Sequence, residues 1–168
     1  MLDHKNLIAE EAVSKLQDLV RASPTCMFAT NLGEAPFHVI PMRVQEADYD
    51  GDLWFFSTTD STHNAQVRVD PRVQLIFTNS SEMEFLTVYG TASISTDKAQ
   101  IDRLWNTMVG AWFEGGKDDP KISLIRVQPT VAHYWDTEDG KLVTIAKMLT
   151  RAATGADIST GVQGSLRV

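Results

Sequence analysis

A succession of short runs rich in β-branched and aromatic residues governs what this chain can fold into: TCMFAT, HVIPMRV, LWFFST, RVQLIFT, EFLTVYGTASIST, ISLIRVQ and VAHYWD. Turn-forming residues punctuate them, as at Leu32-Gly33-Glu34 and Asp50-Gly51, and such punctuation reads as strands joined by hairpins. A doubly wound parallel sheet needs a helix after nearly every strand, and that alternation is absent for most of the chain. The pattern points to an antiparallel barrel with peripheral helices, a mainly β (α+β) fold. With 168 residues and neither a repeat nor a linker, a single domain over 1–168 is expected.

Helices enter at few places. Ile8, Ala12, Leu16 and Leu19 fall at helical spacing and predict an opening helix over 3–21, ended by Ser23-Pro24. A short helix is expected over 61–69, stopped by Asp70-Pro71. Another follows Asp97 and carries Ile101, Leu104, Trp105 and Met108, with Trp105 expected in the core. A closing helix is expected over 141–154 with Gly155 as its stop, followed by the tail to 168. Two strands need comment. The one at 35–44 holds Pro36 and Pro41, so it should be an edge, bulged, or open toward a ligand. The long one around Gly90 should bend there, and Pro129 is expected to divide ISLIRVQ from VAHYWD into two strands.

The formal net charge of −7 would repel a polyanion, which disfavours nucleic acid as a partner. The amino terminus MLDHKNLIAEEAV lacks the apolar stretch of a secretory leader, and no run approaches the ~18 apolar residues of a membrane span. Cys26, the single cysteine, allows no intrachain disulfide and no cysteine-based zinc site. Together these lead us to expect a cytoplasmic protein. Within the apolar run TCMFAT, Cys26 reads as a small buried hydrophobe.

Three constellations bear on chemistry. STTDSTHN, residues 57–64, passes from a strand end into a helix start, gathering Ser57, Thr58, Thr59, Ser61 and Thr62 where helix amides lack partners. That is a ready anion site with His63 as a cationic supplement, though Asp60 or Ser61 acting as a plain helix cap explains the same residues. In HVIPMRV, strand periodicity puts His38, Ile40 and Met42 on one face and Val39, Pro41 and Arg43 on the other. A lone strand histidine is more often structural than a ligand. In AWFEGGKDDP, Trp112-Phe113 sits on an irregular exposed segment, a common mark of an interface or a ligand lid. Gly115-Gly116-Lys117 lacks the strand and helix context of a nucleotide-phosphate loop.

The order HVIPM, DGDLWFFST, VYGTA, LWNTMVGAWFEGGKDDP and HYWD resembles the pyridoxamine 5'-phosphate oxidase-like split barrels, within them the general stress protein 26 branch. The resemblance implies a six-stranded split barrel that forms a homodimer with FMN in two grooves at the subunit interface. It also implies flavin-dependent oxidoreductase activity, or a non-enzymatic flavin-binding or flavin-free dimeric stress protein. Related split barrels that use a deazaflavin or haem remain an alternative, although His4, His38, His63 and His133 show no distinctive ligand spacing. Carried over by position, Pro41 and Met42 match the strand lining the flavin, Ser57 and Thr58 the strand end beside its phosphate, and Ser61 the helix start. Trp112 and Phe113 would reach the flavin from the partner subunit. Ile40 and His63 stand where the family usually has arginine and lysine, with His38 a partial substitute on the Ile40 face. No catalytic acid, base or nucleophile is evident. Tyr89, His133 and Tyr134 read as ordinary strand residues.

Overall fold

The computed structural model describes residues 3–137 and 161–167, together with 148, 154 and 159. The seven expected runs become six strands: β3 (Thr25–Thr30), β4 (His38–Ala47), β5 (Leu53–Thr58), β6 (Arg72–Asn79), β7 (Glu84–Ser95) and β8 (Ile122–Asp136). They pair in the order β8-β5-β4-β3-β6-β7, and β7 returns to β8. Every one of these pairings is antiparallel, so the result is a closed six-stranded barrel, the expected class.

Alternation along the strands fills its interior. Phe28, Phe55, Leu75, Phe77, Val88, Ile125 and Val127 are buried in one cluster, and Phe28 meets Phe55 edge to face at 5.2 Å between ring centroids. A fully buried side chain of this kind contributes about 1.5–3 kcal/mol. Helix α1 (Ala9–Ala22) lays Ala12, Leu16, Leu19 and Val20 on the same cluster. A smaller cluster outside the barrel joins Trp54, Ile101, Leu104, Ile122 and Leu124, with Phe56, Trp105 and Phe113 packed against it.

Several boundaries differ from expectation. Residues 3–8 are not helical: β1 (Asp3–His4) and β2 (Leu7–Ile8) pair in parallel with β9 (Val162–Arg167), which itself runs antiparallel to β8. The second strand spans 38–47 rather than 35–44, and residues 31–37 form the loop that precedes it. The helix after Asp97 is two short helices, α3 (Lys98–Leu104) and α4 (Thr107–Gly110), parted at Trp105, which is half-buried rather than central.

ISLIRVQ and VAHYWD form one continuous strand. Pro129 is tolerated because it faces Gly90 where the β7–β8 register shifts, and a bulge leaves one residue out of the ladder. A Cβ on Gly90 would overlap the Gln128 carbonyl, so this crossing needs glycine. The closing helix expected over 141–154 falls, apart from isolated positions, outside the described residues.

Candidate functional site: the split between β4 and β5

The β4–β5 ladder runs from Ala47–Leu53 only as far as Val44–Phe55. Beyond that point β4 continues back to His38 along β3 alone, while Ser57 and Thr58 of β5 pair with Ser123 and Ile122 of β8. The two strands part there, and Pro41 lies in the open stretch, as expected for a proline-bearing strand. Helix α2 (Thr62–Val69) begins at the end of β5, with Ser61 as its cap: the Ser61 hydroxyl accepts from the Asn64 amide at 3.2 Å. The cap is therefore Ser61 and not Asp60, which is bridged to Lys121 at 3.4 Å. Bonds from Thr58 and Lys121 hold the Asp60 carboxyl below the usual carboxylate range.

A buried polar network underlies this helix start. Asn64 Nδ2 donates to the Thr58 carbonyl and to Ser123 Oγ, each at 2.8 Å. A carbonyl can only accept, so the amide orientation is fixed and Asn64 Oδ1 faces Ser57 Oγ at 3.0 Å. Ser57 spends its one hydrogen on that oxygen. His63 Nε2, 2.6 Å from Ser57 Oγ, must then be the donor of their bond. The pair is thus not a nucleophile with its base, which would require the imidazole lone pair to face the hydroxyl. Ser57 positions His63.

On the other bank, His38 Nδ1 makes a long 3.5 Å contact with Thr30 Oγ1, which donates to Gln66 Oε1 of α2 at 2.6 Å. Burial, and then the charge of His38, hold the His63 imidazole below the ordinary histidine value. His38, Ile40 and Met42 share the inward face as expected, but Ile40 and Met42 pack on the barrel core. Pro41 and Val39 face outward. Asn64, Thr30 and Gln66 were not singled out by sequence.

Trp112 and Phe113 separate. Trp112 is 83% exposed, whereas Phe113 is half-buried against Phe56 and Trp105, each with centroids 6.1 Å away. Lys98 fixes the following segment by bonding the Lys117 carbonyl at 2.7 Å and the Asp118 carboxylate at 2.8 Å. The glycine-lysine motif is therefore tied to α3, with Lys117 itself 3.9 Å from Asp102. A cleft of about 340 Å³ between α1 and the far half of β4 holds none of the expected site residues. No cluster of three or more metal-ligating side chains occurs among the described residues.

Residues 11–159 match the family described as pyridoxamine 5'-phosphate oxidase like. The chain belongs to that family. Among curated relatives, this pyridoxamine 5'-phosphate oxidase-like protein is 34% identical over 91 residues to protein bli-3 of Neurospora crassa, covering 49% of this chain and 44% of that one. It is 27% identical over 85 residues to general stress protein 26 of Bacillus subtilis, covering 48% and 60%. The chain thus spans about half the length of the curated relatives it matches. A solved structure from Jannaschia sp. CCS1 named for general stress protein 26 superposes with a TM-score of 0.79 at 23% identity, covering 95% of this chain and all of that one. The general stress FMN/FAD binding protein of Xanthomonas citri superposes at 0.66 with 33% identity, covering 76% and 90%.

Proposed function

We propose that this protein binds flavin mononucleotide in the split between β4 and β5, as a homodimer, and that any redox chemistry it performs is the flavin's. The observation that carries the reading is the parting of the β4–β5 ladder beyond Val44–Phe55, directly beside the capped start of α2. The residues there fit a phosphate. His63 has a ring nitrogen without a protein partner among the described residues, while the Ser61 hydroxyl, 3.2 Å from Ser57 Oγ, donates to it and steadies the helix start. Backbone of β4 around Pro41 and Met42, free of the β5 ladder, can serve a planar heterocycle. When bound, the flavin would supply hydride or electron transfer, and the protein would supply position and electrostatics.

Dimerisation is supported by an uncovered apolar face. Pro41, Met27 and Ile76 are register partners across β4, β3 and β6, with Met27 44% and Ile76 42% exposed. Contiguous apolar surface of this kind on a monomer marks an interaction site. An oxidoreductase with an unassigned substrate is the activity this site would support, with a flavin-binding protein lacking turnover as the other outcome. A visible absorption spectrum of the purified protein with added FMN, repeated after a reduced nicotinamide, tests both. Flavin retained through gel filtration and bleached by the reductant is expected. Absence of bound flavin at any FMN concentration would overturn the reading.

A further inference from the structure

We infer that His63, at the start of α2 beside the split, makes this site a proton-gated receptor for a phosphomonoester, which it binds with uptake of a proton and releases as solution turns alkaline. The inference rests on the flavin reading for the identity of the natural ligand, but the clamp itself concerns only the phosphate.

The argument begins with where the hydrogens lie. Ser57 gives its hydrogen to Asn64 Oδ1 and receives one from His63 Nε2, so the neutral His63 ring is the Nε2–H tautomer. Its Nδ1 is then a bare lone pair, able to accept from a ligand but not to donate to an anion. On the opposite bank the arrangement repeats. Thr30 gives its hydrogen to Gln66 Oε1 and can only accept from His38 Nδ1, which leaves His38 Nε2 as the second open nitrogen. His63 therefore has one nitrogen committed to a hydroxyl whose own hydrogen goes to an amide on α2, while His38 makes only the long contact with Thr30. His63 becomes a full cationic donor toward a ligand only by taking up a proton at Nδ1.

Neighbouring charges do not replace it. Asp60 is engaged with Lys121, Arg68 donates to the Thr59 carbonyl at 3.4 Å, and Asp70 pairs with Arg72 at 2.7 Å. In the free protein, burial first and then His38 hold the His63 imidazole below the ordinary histidine value. A phosphate dianion beside His63 opposes that shift, because it favours the charged form of the ring.

The sign follows. Binding raises the His63 value above its depressed free-state value. The gain in affinity is fully present below the free-state value and is lost as pH rises through the value in the complex. A rise of one unit corresponds to about tenfold in affinity. The ligand's own second ionisation near about pH 6 weakens binding at the acid end, so affinity peaks in mildly acid solution.

The test compares FMN with riboflavin, which lacks the phosphate, by fluorescence titration from pH 5.5 to 8.5, with calorimetry in buffers of different ionisation enthalpy. FMN affinity should fall at least about tenfold from its mildly acid maximum to pH 8, with net proton uptake, while riboflavin affinity stays flat. H63Q should lose the uptake beyond what the phosphate itself contributes, and H63K should bind FMN more tightly than wild type at pH 8. Wild-type circular dichroism and thermal unfolding of the variants show that they are folded. Parallel FMN and riboflavin profiles, or an H63Q profile identical to wild type, would overturn the clamp while leaving flavin binding standing. If neither flavin binds, the flavin reading fails, and histidine ring proton resonances titrated with inorganic phosphate decide the clamp alone. A raised His63 titration upholds it, and an unmoved one overturns it.

Discussion

Gly164 of β9 lies so close against Lys5 that any Cβ there would overlap the Lys5 carbonyl oxygen. The same oxygen accepts from the buried Tyr134 hydroxyl at 2.8 Å. Residues 3–8 thus cross β9 at a point that has room for hydrogen only. Gly164→Ala should displace the amino-terminal segment and cost about 1–3 kcal/mol of overpacking strain. Urea unfolding, with hydrogen exchange at residues 3–8, checks it, and equal stability with unchanged protection there would refute the crossing.

Trp112 and Phe113 are neighbours in sequence with opposite surroundings, so their substitutions should separate. Phe113→Ala should loosen the cluster with Phe56 and Trp105 and cost roughly 2 kcal/mol, less than full burial would because the ring is half-exposed. Trp112→Ala should leave the stability of dilute, flavin-free protein within about 0.5 kcal/mol, and weaken dimerisation or FMN affinity instead. Chemical denaturation and analytical ultracentrifugation of both variants provide the check. A Trp112→Ala protein with wild-type dimer and flavin constants would show that this side chain serves neither.

Asn64 of α2 is fully buried and serves three partners, two on β5 and one on β8. Asn64→Ala strands the Ser123 and Ser57 hydroxyls and the Thr58 carbonyl, at about 1–3 kcal/mol for a buried group left unpaired. It also frees the Ser57 hydrogen, so His63 is no longer held to one tautomer. Thermal unfolding should show the loss, and nitrogen-15 shifts of the imidazole should show mixed tautomers. A single Nε2–H tautomer in the variant would mean that something other than Ser57 fixes the ring.

Ile76 faces outward on β6 beside Met27. Ile76→Lys should leave the barrel folded, because that side chain lies outside the core, yet place a charge in the proposed subunit contact. Light scattering across micromolar concentrations should give a dimer for wild type and a monomer for the variant. A wild-type monomer throughout would remove the homodimer from the reading.

The barrel was legible because each strand carries its own evidence: alternation, punctuation and length are local properties. What failed was decided at a distance. Residues 3–8 have helical spacing at Ile8, yet they become strands because their partner is 162–167, and nothing near them announces it. Pro129 looks like a break until Gly90 is placed opposite it.

The site divides the same way. Ser57, Ser61 and His63 stand within one short segment and could be read as a group. Asn64 was passed over since its meaning depends on Ser123, a residue on β8. Thr30 and Gln66 matter only because β3 and α2 meet beside His38. Trp112 was correctly taken as exposed, but Phe113 was grouped with it because adjacency in an irregular segment says nothing about which ring finds a pocket.

The pairing of Asp3 with Val162 has a consequence for a chain emerging from a ribosome. Synthesis at about 5–20 residues per second leaves the amino-terminal strands without their β9 partner for roughly 8–30 seconds after they appear. Leu7 and the Leu16 side of α1, which share a cluster with Val162 and Leu166, spend that interval without that cover. The barrel strands can pair meanwhile, as β8 ends at Asp136, but residues 3–8 must wait until 162–167 have been made. The segment made before the barrel is therefore the last to be covered.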